Sequence, residues 1–311
     1  MYRADCVIID SIDRALVTVA GEDAADFLHA MCTNDIKNLS ENRLLPAAFC
    51  QPNGQVICSF VVWHDTQAYH MLVPLAMAEK VYQWLTKHRL RSRVTIDIAE
   101  GKRFIGLIGK ETNLILGNTL PEPMTVLSNT EDQGYILNLG ERFLIVAEST
   151  KVACYQYEAQ QKEAITLPSY YWRWLDVMMG WLNITEETTN RYVPQEINLD
   201  LMGVIDFKKG CYPGQEVVTR VQNLVKKKKR MLLYESKEPT SLPTGAPVYF
   251  EKNVVGEVIT AQLSPKNTYH LLVLVSTEGV DLADLSTELG KLGPCLELPY
   301  PVDQLEAVKT A

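Results

Sequence analysis

Apolar and polar residues alternate through Ala15-Leu16-Val17-Thr18-Val19-Ala20 and stop at Gly21, which predicts a strand over 15–21. Over 22–32 the apolar residues Ala25, Phe27, Leu28 and Met31 fall at helical spacing, so a strand-to-helix unit opens the chain. Apolar runs within 46–63 flank Gln51-Pro52-Asn53-Gly54, and Asn-Gly is a strong two-residue hairpin signal, so two antiparallel strands should meet there. Helical spacing returns over 76–90 through Val81, Trp84 and Leu85, followed by strand-like stretches at 93–98, 103–108, 134–139 and 142–146. Two further helices are expected at 150–162 and 168–179. Helices and strands mix without the regular alternation of a doubly wound sheet, which predicts an α+β fold. The punctuation at Pro239, Pro243, Gly245 and Pro247 marks a change, after which only short strands follow, at 248–250, 254–260 and 269–275. They predict a small C-terminal antiparallel β-barrel over 236–311, preceded by a larger α+β region over 1–235.

Composition narrows the class. The 311 residues are 47% apolar and 22% charged, the makeup of a globular protein with a sizeable core, and two or three domains are expected at this length. Charges at Arg3, Asp5, Asp10, Asp13 and Arg14 interrupt the start, unlike a signal peptide, and no run reaches the roughly 18 apolar residues of a membrane span. The seven cysteines (6, 32, 50, 58, 154, 211 and 295) form no CxxC pair and are odd in number, which fits a reducing compartment; a cytoplasmic protein without a membrane partner is expected. The same spacing disfavours zinc or a stable cluster held by this chain alone, and no metal site is assigned. A net charge of −8 opposes nucleic acid on average, so contact with RNA would need a local patch. The cations over 226–230 are the candidate, though a solvated turn or a strand edge guarded by lysines explains them as well.

The densest chemical signal is Asp206-Phe207-Lys208-Lys209-Gly210-Cys211-Tyr212-Pro213-Gly214-Gln215-Glu216. Gly210 and Gly214 allow unusual backbone angles or close approach to a ligand, and Pro213 stiffens the turn, so the segment reads as a tight loop presenting a thiol. A lysine two residues from Cys211 can lower a thiol's pKa, and Glu216 would oppose it at close range. A structural glycine turn with a buried, inert cysteine fits the same residues.

The stretch 192–220, YVPQEINLDLMGVIDFKKGCYPGQEVVTR, resembles the signature of the YgfZ family, whose core is KGCYxGQE preceded by a Pro-Gln and an Asn-Leu step. The family belongs to the glycine cleavage T-protein (aminomethyltransferase) superfamily. Val19-Ala20-Gly21-Glu22-Asp23, Phe27-Leu28, Thr33-Asn34-Asp35, Pro52-Asn53-Gly54-Gln55-Val56 and Leu298-Pro299-Tyr300 extend the resemblance over nearly the whole chain. The resemblance implies three domains in a ring around a central channel that binds tetrahydrofolate or a derivative, the last domain a small barrel. It implies that Cys211 is the required thiol, that Lys209, Gly210, Tyr212, Gly214, Gln215 and Glu216 shape its loop, that Arg220 is a nearby cation, and that Trp172 contacts folate. Stacking on an indole suits a pterin, but Trp172, Trp174 and Trp181 also fit core positions.

The departures from the pattern carry information. True aminomethyltransferases have an Asp-Asp pair on the strand after the hairpin, where this chain has Cys58-Ser59, so a classical aminomethyltransferase is not expected. A glutamate that the family often carries to anchor the pterin is replaced by Met178, and the family's usual turn glycine by Val225. The expected function is therefore a folate-binding accessory protein that assists assembly or repair of iron-sulfur enzymes, including tRNA-methylthiolating ones, through Cys211. That thiol would ligate a transient cluster or form a mixed disulfide, with iron-sulfur enzymes or cluster-assembly proteins as partners and an indirect link to tRNA. A folate-dependent methyl or aminomethyl transferase, or a demethylase, acting on a small amine is the alternative; direct tRNA binding through 226–230 is a third reading. His29, His64, His70, His88 and His270 are dispersed without metal or triad spacing, and Gly106-Leu107-Ile108-Gly109 matches no phosphate loop. Cys50 and Cys58 are expected as buried small hydrophobes, or as thiols able to approach each other or Cys211.

Overall fold

The computed structural model describes residues 6–117, 120–129, 134–224, 229–236 and 241–302. Among them no helix is long and apolar enough to cross a membrane. The chain divides into two compact units, Met1–Ala47 with Phe60–Trp172, and Ala48–Ser59 with Arg173–Ala311.

The first unit holds two sheets. A five-stranded sheet has the order Leu45–Cys50, Val56–His64, Tyr69–Pro74, Arg14–Ala20, Thr95–Ile98. Its first two strands are the hairpin, whose turn-proximal residues Ala48–Ser59 belong to the second unit. The connection is the five-residue stretch 51–55 rather than the two-residue turn expected from Asn-Gly: Gln51 N donates to Gln55 O, and Gly54, at φ 82, donates its N–H to Gln51 O. The helix Ala78–His88 buries Ala78, Val81 and Leu85, spaced to share one face.

A six-stranded sheet follows the order Ile165–Leu167, Val7–Ile9, Lys102–Ile108, Arg142–Glu148, Gly134–Asn138, Thr125–Asn129, with Val7–Ile9 parallel to Ile165–Leu167 and antiparallel to Lys102–Ile108. Ile105, Leu107, Phe143 and Ile145 form its core with Val152 and Ala159 from the helix Ser149–Gln161. Gly106 has a packing reason: a Cβ there would run into the Trp172 ring. The glycine run at 106–109 thus starts within a strand.

The second unit is built on a curled, open seven-stranded sheet, a half-barrel: Gly290–Lys291, Leu285–Thr287, Pro247–Phe250, Asn253–Leu263, Tyr269–Ser276, Lys229–Ser236, Cys295–Leu296. Lys229–Ser236 pairs along its whole length with Tyr269–Ser276, so the sheet begins before the expected start at 236. Alternate residues Leu232, Tyr234, Leu271, Val273 and Val275 meet in its core, the period of two that one buried sheet face requires. The segment ahead of the sheet is mostly turns, and buried polar groups secure it. Arg230, 1% exposed, pairs with Asp200 at 2.7 and 3.0 Å and donates to Gln195 O, while Asn198 Nδ2 donates to Met231 O at 2.7 Å. Tyr300 donates its hydroxyl to Gly180 O at 3.2 Å, which packs the Leu298-Pro299-Tyr300 end of the chain onto the same unit.

Candidate functional site: the cysteine loop

All parts of the loop around Cys211 lie in the second unit. It starts at Asp206, whose Oδ1 accepts from Lys208 N at 2.7 Å in an Asx turn. It ends in the helix Gln215–Leu224, which buries Val218 completely. Gly214 joins the two at φ 85, and a Cβ there would collide with Gln51 O and lie 2.9 Å from Gly54 Cα. The loop therefore rests backbone to backbone on the hairpin turn, with Val217 against Gly54. Gln215 closes the loop from within, its Nε2 donating to Lys209 O at 3.3 Å and Gly210 O at 3.4 Å. Gln195, 1% exposed, ties the helix down by donating to Val218 O at 2.8 Å.

The side chains sort sharply. Tyr212 and Lys209 are buried, and Lys209 Nζ lies 5.2 Å from the centroid of the Tyr212 ring, a cation–π distance. Burial holds the Tyr212 hydroxyl well above the usual tyrosine pKa, and that hydroxyl has no hydrogen-bond partner among the described residues. Gly210, Cys211, Glu216 and Arg220 are exposed, the last two one helical turn apart. The loop thus carries an exposed thiol on a backbone whose neighbours are fixed on both sides.

Other positions singled out in the sequence lie elsewhere. Trp172 belongs to the first unit, 1% exposed, with the Arg142 guanidinium 4.3 Å from its ring centroid and Gly106 against its edge. Met178, partly buried, sits at the end of the helix Tyr170–Met178. Ser59 and Cys58 are buried, and the Ser59 hydroxyl donates to Leu182 O at 3.2 Å. Burial pushes the Cys50 thiol up to about 12, so it stays protonated near neutral pH. Arg230 is withdrawn from the cationic patch expected at 226–230 by its buried pair with Asp200; Lys226, Lys227, Lys228 and Val225 lie outside the described residues. Among the described residues, no three His, Cys, Asp or Glu side chains gather as a metal site would require.

The sequence reading missed the helix Gln215–Leu224 and the Arg230–Asp200 pair, and it had Gln195 only as part of the motif's Pro-Gln step. Val217, Val218, Val221 and Leu224 at helical spacing signalled the helix. An arginine at the end of a lysine run carries no comparable signal.

The GCVT N-terminal domain model matches residues 1–126. A tRNA-modifying protein YgfZ from Colwellia psychrerythraea is 30% identical over 237 residues, covering 74% of this chain and 71% of its own length. The chain belongs to the YgfZ family. YgfZ proteins from Hamiltonella defensa, at 30% identity, and Escherichia coli strain SE11, at 28%, each align over 68% of this chain and over 64% and 66% of their own lengths. The crystal structure of the glycine cleavage aminomethyltransferase T from Bartonella henselae superposes with a TM-score of 0.81, covering 97% of this chain and 88% of that one at 14% identity. This YgfZ protein therefore has the T-protein fold, and the α+β expectation with a terminal β-domain holds.

Proposed function

We propose that this YgfZ protein is a cytoplasmic accessory factor that assists assembly or repair of iron-sulfur enzymes, tRNA-methylthiolating enzymes among them, through Cys211. The observation that carries this reading is the exposed thiol on an anchored loop, between buried Lys209 and Tyr212. A thiol so placed can reach a partner protein without rearrangement of the fold. With no group of three His, Cys, Asp or Glu side chains gathered among the described residues, a cluster resting on Cys211 would draw ligands from the partner or from small thiols. The link to tRNA through Cys211 is indirect, by way of the client enzymes, and accords with the tRNA-modifying role in the relatives' name.

Folate enters through the fold. The residues nominated as its anchors do not supply a free aromatic face or a carboxylate: Trp172 is enclosed, with Arg142 over its ring, and Met178 stands where the resemblance implies a glutamate. Folate binding is a separate proposal, tested by calorimetric titration of tetrahydrofolate under argon. Chemistry of the aminomethyltransferase kind has no support at Cys58-Ser59, where neither side chain is a carboxylate and the hydroxyl is engaged by Leu182 O.

The deciding experiment uses cells lacking the native protein, complemented with wild type, Cys211→Ser or Cys154→Ser. Cys154 is the matched control, an exposed cysteine on the helix Ser149–Gln161. Cys211→Ser should lose the methylthiolated tRNA nucleoside and iron-sulfur enzyme activity while keeping the wild-type melting temperature, and Cys154→Ser should keep both. Full support by Cys211→Ser removes the thiol from the function.

A further inference from the structure

A second exposed feature lies in the first unit, where the helix Ala78–His88 runs into Lys87-His88-Arg89-Leu90-Arg91-Ser92-Arg93. Arg93 is taken up by Glu22 at 2.6 Å and Asp23 at 3.3 Å, and His88 Nδ1 by Trp84 O at 2.7 Å. Lys87, Arg89 and Arg91 are exposed, with no acidic partner among the described residues. Three uncompensated cations on one turn are unusual in a chain of net charge −8. Leu90 stands between them, 88% exposed and at φ 46. A residue directly after a helix in this left-handed conformation is ordinarily glycine or asparagine, because a Cβ is disfavoured there. Leu90 therefore carries backbone strain without the burial that would offset it within its own fold. It also borders an open depression lined by Asp23, Arg91 and Ser92.

We propose that the turn 87–93 is a docking point for RNA, with Lys87, Arg89 and Arg91 on successive backbone phosphates and Leu90 against an unstacked base or ribose. The apolar tip selects single-stranded loops, where bases are splayed and accessible, over duplexes that stack theirs away. Protein and membrane are less suited. A specific protein interface takes about 20–30 residues a side, and this is a seven-residue tip. An interfacial membrane helix needs a whole apolar face, but Ala78, Val81 and Leu85 are buried, which leaves one leucine to insert. This contact is direct and independent of Cys211, so it stands or falls separately from the accessory role.

The test is fluorescence anisotropy of a labelled, unmodified tRNA transcript with the full-length protein, from about 50 to about 200 mM salt. Wild type should bind with a steep salt dependence. The variant Lys87→Gln/Arg89→Gln/Arg91→Gln should lose about tenfold or more in affinity at low salt and reduce the slope of log K against log salt by about 2, near 0.7–0.9 for each phosphate contact. Leu90→Asn should weaken binding several-fold with the slope unchanged and the melting temperature equal or higher, since asparagine tolerates the left-handed backbone. No binding by wild type at low salt overturns the proposal, as does a triple variant with wild-type affinity and slope. Anionic phosphatidylglycerol vesicles that bind wild type in place of the transcript, and release it in the triple variant, would reassign the turn to membranes.

Discussion

Gly214 and Gly54 meet backbone to backbone, so the loop that carries Cys211 is seated on the hairpin turn at a contact that leaves no room for a Cβ. Gly214→Ala meets two obstacles, a φ of 85 and a collision with Gln51 O. It should lose about 2–4 kcal/mol in urea unfolding, about 1 from the left-handed backbone and the rest from overpacking. Gly279→Ala is the control, at φ 70 with nothing within 4 Å, and should lose only about 1 kcal/mol. Iodoacetamide labelling of Cys211 should change in the first variant alone. Equal destabilisation of the two would mean that the loop is not seated there.

Arg230 and Asp200 lie 2.7 Å apart with side chains 2% and 1% exposed, so removing either strands a buried charge. Arg230→Gln and Asp200→Asn should each cost about 3–5 kcal/mol, with the double variant well short of their sum. If Arg230 were instead a surface cation, Arg230→Gln would leave stability unchanged.

The elements announced by periodicity stand where patterns of two or 3.6 residues placed them. Ala24–Met31 and Ala78–His88 were legible because one face of each is buried and the other wet, and Arg14–Ala20, with no exposed residue, was legible from its alternating residues and the glycine that ends them. The cysteine loop was legible as a motif, from glycines whose backbone now has a reason: Gly214 lies against Gln51 and Gly54. Its supports were not. Arg230 read as the end of a cationic run because local sequence does not show Asp200, thirty residues earlier, closing on it in the interior. The basic turn at 87–93 escaped notice for the opposite reason: the helical stretch was carried to Leu90, so the turn read as the end of a helix that stops at His88.

Trp174 donates its Nε1–H to His270 Nδ1 at 2.8 Å, which requires that nitrogen to be unprotonated. Burial pushes the His270 pKa below its ordinary value, and Glu235, 3.9 Å away, opposes the shift only in part. With the folded pKa below the unfolded one, the unfolded chain binds more protons in acid, so His270's contribution is fully present above about pH 6.5 and fades as pH falls through the folded pKa. Wild type should therefore lose stability relative to His270→Gln between about pH 6.5 and pH 5, as read by urea titration. A stability difference that stays constant with pH would show that His270 does not titrate with folding.

Trp172 and Gly106 offer a last discrimination, between an indole that serves the core and one held ready for a ligand. A Cβ at Gly106 would come within 2.5 Å of Trp172 Cε3, and the ring is 1% exposed. Trp172→Ala should then cost about 3–5 kcal/mol through the cavity it leaves, and Gly106→Ala about 1–3 through overpacking. Because the new methyl group would occupy space that the ring vacates, the double variant should be less destabilised than the sum, by about 1–2 kcal/mol. Strict additivity would mean that the ring does not press on Gly106. The result also sets how a folate titration is read: weakened binding by Trp172→Ala reports a ligand contact only if Arg142→Ala, which uncovers the ring, shifts tetrahydrofolate affinity at unchanged stability.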